Sequence, residues 1–73
     1  MISEKEARKF ATLADVDVTN VRRNADGTRS LNVGGQSVTH NNDGGKACWR
    51  VNGERYGYIG ESIYAALKIE LNI

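Results

Sequence analysis

The sequence predicts a single small α+β domain over residues 1–73, with element order α-β-β-β-β-β-α and an antiparallel meander flanked by two helices. Three observations predict it: a helix-period stripe at the N-terminus, a switch to period two with turn dipeptides at hairpin spacing through the middle, and a second helix-period stripe at the C-terminus. A small, partly closed five-stranded barrel with flanking helices is the alternative, since short strands joined by Gly-rich turns can curl.

The first helix begins at a capping box. Ser3 and Glu6 stand three apart, where hydroxyl and carboxylate can satisfy backbone N–H groups that the first turn leaves unpaired. Ala7, Phe10, Ala11 and Ala14 recur on one face with Leu13 at its edge.

From Val16 the period becomes two, and turns are expected at Asp26-Gly27, Gly34-Gly35, Gly44-Gly45 and Asn52-Gly53. A turn at Asn24–Gly27 pairs Asn24 with Thr28, sets Arg23 across from Arg29, Val21 across from Leu31 and Thr19 across from Val33. A two-residue turn at Gly34-Gly35 then sets Leu31 opposite Val38. Val21, Leu31, Val33 and Val38 form one expected apolar face.

Asn52-Gly53 is the strongest two-residue turn signal and joins strands Lys46–Asn52 and Glu54–Ile59. It pairs Val51 with Glu54, Arg50 with Arg55, Trp49 with Tyr56, Cys48 with Gly57 and Ala47 with Tyr58. One face of this hairpin is aromatic (Trp49, Tyr56, Tyr58); the other carries Lys46, Cys48, Arg50, Arg55 and Ile59. The rings are expected to pack beneath a helix, although aromatic sheet faces also serve as stacking platforms for bases.

Gly60 ends the last strand, and the second helix runs from Glu61 to about Leu71. Ile63, Leu67 and Leu71 form its apolar row, Glu70 falls inside the apolar sector, and the last turn is expected to fray or to pair with a cation.

Composition narrows the function. Ten Lys+Arg against nine Asp+Glu give a formal charge of +1, so no global field draws the chain to nucleic acid or to anionic lipid. One Cys and one His exclude an internal disulfide and a metal cluster, and no cofactor or small-molecule substrate is indicated. Nothing resembles a leader or a membrane span, so the expected location is cytoplasmic, with no membrane partner. Cys48 and His40 lack an orienting third group, and no catalytic residue is assigned. Gly44-Gly45-Lys46 fails as a phosphate loop, because position 40 is His and a strand follows. The chain is expected not to be an enzyme.

Two surfaces remain. Arg50 opposite Arg55, with Lys46 on the same face, and Arg23 opposite Arg29 are cross-strand pairs of like charge, which ask for a carboxylate or an anionic partner such as phosphate. Trp49-Arg50-Val51-Asn52-Gly53-Glu54-Arg55-Tyr56, Ile59-Gly60 and the following helix with Ala65-Ala66 resemble the last two strands and helix of the three-stranded DNA-binding domains of plant ethylene-response factors and phage integrase arms. The likeness covers roughly a third of the chain, which lacks that family's acidic, alanine-rich helix start and adds an N-terminal helix. It implies a sheet laid in the major groove, with strand arginines and tryptophan contacting DNA.

The second surface is the C-terminal helix and tail. Tyr64, Ile69 and Ile73 lie on more sides of it than a domain this small can bury, which suits protein–protein interaction with another protein or a second copy. A regulator or inhibitor of the kind that phages and mobile elements carry, or a homodimer, is the expected function. A nucleic-acid-binding module using the arginine face is the alternative.

Overall fold

A computed structural model describes residues 2–25, 28–40 and 48–73. Helix α1 spans Glu4–Leu13, strands β1 to β5 span Val18–Arg23, Arg29–Val33, Gln36–His40, Trp49–Val51 and Glu54–Tyr56, and helix α2 spans Ile59–Leu71. The strands form one antiparallel sheet in sequence order. β1 and β5 are its two edges, so the sheet is open and the α+β meander, not the barrel, is the architecture.

Both helices close in the same way. Ser3 caps α1 by accepting from the Glu6 backbone N–H at 3.1 Å, while its hydroxyl donates to the Glu6 carboxylate. At the other end Asp15 turns left-handed (φ 61°), and Val16 N–H donates to Ala11 O at 2.9 Å. At the end of α2 Asn72 adopts φ 59°, and Asn72 and Ile73 N–H donate to Ile69 O and Lys68 O. Each is a Schellman closure, which satisfies carbonyls the last turn would otherwise leave unpaired. The last turn of α2 is therefore not frayed. Among the described residues Glu70 has no cation partner; its carboxylate lies over Gly34 and accepts from Gln36 Nε2 at 3.3 Å.

The helices cover one face of the sheet. Leu31, Val33, Val38, Trp49 and Val51 supply the sheet side of the core, α2 adds Ile63, Ala66 and Leu67, and α1 adds Ala7 and Ala11. α1 rests chiefly on α2, and Gly60 of α2 lies against the Ile2 and Ser3 backbone at the start of α1. Burying these side chains contributes about 25 cal/mol per Å² of apolar surface, the main favourable term for folding.

The turn-proximal registers agree with the sequence reading: Arg23 faces Arg29, Leu31 faces Val38, Arg50 faces Arg55, and Trp49 faces Tyr56. Farther along β1 the expected pairing is corrected. Asn20 is left-handed (φ 54°), the ladder slips between Thr19 and Arg22, and Val18 rather than Thr19 faces Val33. This bulge leaves Val21 63% exposed, outside the core.

The last hairpin is also shorter than expected. β5 stops at Tyr56 and α2 starts at Ile59, so Gly60 is a buried helical residue rather than a strand end. Cys48 and Ile59 consequently pack against the core instead of sharing the arginine face, and Tyr58 is exposed at the helix N-cap. The expected turns at Asp26-Gly27 and Gly44-Gly45 lie outside the described residues. Among those described, no helix is long and apolar enough to cross a membrane.

Candidate interaction surfaces

The helix-free face of the sheet follows from register. Side chains alternate across a strand, so with Leu31, Val38 and Val51 inward, their neighbours Ser30, Thr39 and Arg50 point outward. Arg22 faces Ser30, Ser30 faces Thr39, Thr39 faces Arg50, and Arg50 faces Arg55. One row thus crosses all five strands, with guanidinium groups at both ends, over about 19 Å at the usual strand spacing; of the two hydroxyls between, Ser30 is buried and accepts from Asn24 Nδ2 at 3.4 Å, and Thr39 is partly exposed. Arg22 is fixed by its Nη1 donating to Asn20 O at 3.0 Å and to Asn32 Oδ1 at 3.4 Å. The only acid in the described strands, Glu54, faces Val51 and alternates away from this row. Arg50 and Arg55 are both exposed.

The two arginine pairs do not share a surface. Arg23 and Arg29 alternate to the helix side of the sheet, at its rim, where the Arg29 guanidinium lies 5.5 Å from the centroid of the Trp49 ring. Alternation already carries this information, because Arg29 and Leu31 stand two apart on one strand. Arg22 is the residue the sequence reading left out of the outward row. Lys46 lies outside the described residues.

Trp49 is 5% exposed and packs in the core, so it cannot make the base contact implied by the likeness to three-stranded DNA-binding domains. The His40 ring lies against it, tilted by 40° with centroids 4.7 Å apart, and its buried Nδ1 has no hydrogen-bond partner among the described residues. Cys48 is half-buried against the core, and among the described residues no group of three or more His, Cys, Asp or Glu side chains could hold a metal.

On the opposite side of the molecule, the three residues assigned to protein contact come together. Tyr64, Ile69 and Ile73 line a cleft of about 400 Å³ beside α2, closed by Ile2 and Tyr56. Tyr64 and Ile69 are each 39% exposed and Ile73 is 83% exposed. Periodicity explains the grouping: positions 61, 64, 65, 68 and 69 fall on one side of a helix of 3.6 residues per turn, opposite the buried Ile63, Ala66 and Leu67. Phe10 of α1 extends the apolar surface, its ring 5.9 Å from that of Tyr64. Ile2 and Tyr56 were not legible as members of this cleft, since nothing local in sequence ties them to α2.

Comparison with protein-family models, with curated proteins and with solved structures finds no match.

Proposed function

We propose that this chain is a non-enzymatic binding module that acts through protein–protein interaction, as a small regulator does, with the cleft beside α2 as its contact surface. One observation carries this: Tyr64, Ile69 and Ile73 converge with Ile2 on a single concave site, alongside Glu61 and Lys68, instead of being scattered singly over the surface. A depression that combines apolar side chains with charged ones is the kind of surface proteins use for one another. A charge at Ile69 or Ile73 should remove the contact while sparing the fold, because both side chains are already partly in water.

The test is a pull-down with the tagged full chain, with and without nuclease. A protein retained in both conditions by the native chain, and lost with Ile69→Glu and Ile73→Glu, supports the proposal. Retention that survives both substitutions, or that vanishes on nuclease treatment, refutes it.

The outward row Arg22–Ser30–Thr39–Arg50–Arg55 favours a second reading, nucleic-acid binding by the open sheet face. The exposed guanidinium groups and the Thr39 hydroxyl suit phosphate oxygens. An oligonucleotide complex of this kind should weaken steeply with salt and be lost in Arg50→Ala/Arg55→Ala, with thermal stability kept. Absence of any oligonucleotide-induced spectral change at low ionic strength would dispose of it.

A further inference from the structure

The helix-free face of the sheet carries its long cations at the margins and short side chains in the middle. By alternation it presents Arg22, Ser30, Thr39, Arg50 and Arg55 in one row and Thr19, Asn32 and Ser37 in the next. Arg22 stands on the edge strand β1, and Arg50 and Arg55 stand on β4 and β5. About 14 Å, three strand spacings, therefore separates Arg22 from Arg50, with only short polar side chains between them on β2 and β3. The acid Glu54 and the rings Trp49 and Tyr56 alternate to the other side.

Arg22 is held in position by the β1 bulge. Asn20, at φ 54°, offers its carbonyl to Arg22 Nη1 at 3.0 Å, and Asn32 Oδ1 accepts from the same nitrogen at 3.4 Å. The rest of the guanidinium fork keeps its donors for a ligand.

This arrangement selects its ligand. A single strand offers one track of phosphates and gains affinity by stacking its bases on rings. The face carries no ring from the described strands, and its cations lie at opposite margins, not along a track. A B-form duplex instead offers two phosphate ridges with a major groove about 12 Å wide between them. Cations about 14–19 Å apart can rest on both ridges at once. The Ser and Thr side chains between them are then too short to reach base edges at the floor of a groove roughly 8.5 Å deep.

We infer that the open sheet face binds double-stranded DNA by bridging one groove, with Arg22 on the phosphates of one strand and Arg50 and Arg55 on those of the other, and that it does not read sequence. The inference rests on the nucleic-acid reading of this face and names its ligand. It differs from the mode implied by the likeness to three-stranded DNA-binding domains, in which the sheet enters the groove and touches bases.

Fluorescence anisotropy of a labelled duplex of about 20 base pairs, titrated with the full chain from about 50 to about 200 mM salt, tests it. Three neutralised phosphates predict a slope of about −3 in log K against log salt, a loss of roughly fortyfold over that range. Arg22→Ala, Arg50→Ala and Arg55→Ala should each make the slope shallower by about one and weaken binding roughly tenfold at the lowest salt. Arg22→Lys should keep the slope, because the charge remains. Arg22→Gln retains a donor for Asn20 O without the charge, so it should lose affinity as Arg22→Ala does even if the bulge needs that hydrogen bond. Melting of each variant, followed by circular dichroism, confirms that the fold is kept. Two duplexes of unrelated sequence should agree within about twofold, and a single strand should bind at least about tenfold more weakly.

A single strand bound as well as the duplex, a strong dependence on sequence, a preference for duplex RNA, or an Arg22→Gln protein with native affinity overturns the inference and leaves the nucleic-acid reading standing. Absence of binding to every one of these oligonucleotides at the lowest salt removes both.

Discussion

Gly60→Ala sets two sizeable effects against each other. At a helical position Ala is favoured over Gly by up to about 1 kcal/mol, and less in the first turn, so propensity alone predicts a more stable protein. Packing predicts the reverse. A Cβ on Gly60 would stand 2.5 Å from the Ser3 carbonyl carbon and 2.7 Å from its oxygen, and closer still to the Ile2 carbonyl oxygen. These are backbone atoms, not the flexible end of a side chain. Relief would require displacing the cap of α1, where Ser3 O accepts from Ala7 N–H at 2.9 Å. Overpacking of this kind costs about 1–3 kcal/mol, so the net loss should be about 1–2 kcal/mol. For a domain of this size that corresponds to a fall in Tm of roughly 5–15 °C, read by circular dichroism. Gly53→Ala is the control: its φ is +84° and nothing lies within 4 Å, so any loss there reports backbone strain without a clash. A Gly60→Ala protein that melts at or above the native temperature would show that α1 and α2 do not approach as closely as described.

Two further substitutions probe the fold that presents the surfaces. Asn20→Val forces a β-branched residue to the left-handed φ of the β1 bulge and should cost about 1–3 kcal/mol in urea denaturation, while Asn20→Gly should be tolerated; equal stability of the two would remove the bulge from the account of why Val21 is exposed. Ile63→Ala opens a cavity under the centre of α2 and should cost about 2–5 kcal/mol by the same measurement, and a loss below about 1 kcal/mol would mean that α2 does not anchor the core there.

Short-range geometry was legible and long-range packing was not. Asn52-Gly53 adopts left-handed φ at both positions, so its two-residue turn fixed the pairs Val51–Glu54, Arg50–Arg55 and Trp49–Tyr56. The same logic gave Leu31–Val38 and Arg23–Arg29. It failed beyond Asn20, because a register carried outward from a turn assumes that no residue is inserted, and a left-handed Asn is where that assumption breaks. Gly60 misled for a related reason: its role is to let the segment before α1 cross α2, a contact between residues 58 positions apart that no local pattern encodes. At the candidate sites, apolar excess on α2 singled out Tyr64, Ile69 and Ile73 but placed them on more than one side of the helix, whereas the structure sets all three along one cleft. Alternation, applied strictly, would have split the arginines into Arg22, Arg50 and Arg55 on one face and Arg23 and Arg29 on the other.

The small residues that let the two helices meet also explain why apolar surface is left over. Ala7 and Ala11 of α1 and Gly60 and Ala66 of α2 are buried, and together they offer little volume. Helices that approach through such residues leave no room between them for large side chains, so Phe10, Leu13 and Tyr64 stay at the surface. The described sheet does not take up that area, since one face lies under the helices and the other carries Ser30, Thr39 and Arg50. A second protein surface over the α2 cleft, as proposed, would take Tyr64 out of water. Enlarging Ala66 to Leu would therefore overpack a fully buried position without drawing Tyr64 or Phe10 inward, and should cost about 1–3 kcal/mol in urea denaturation; unchanged stability would refute the close packing described.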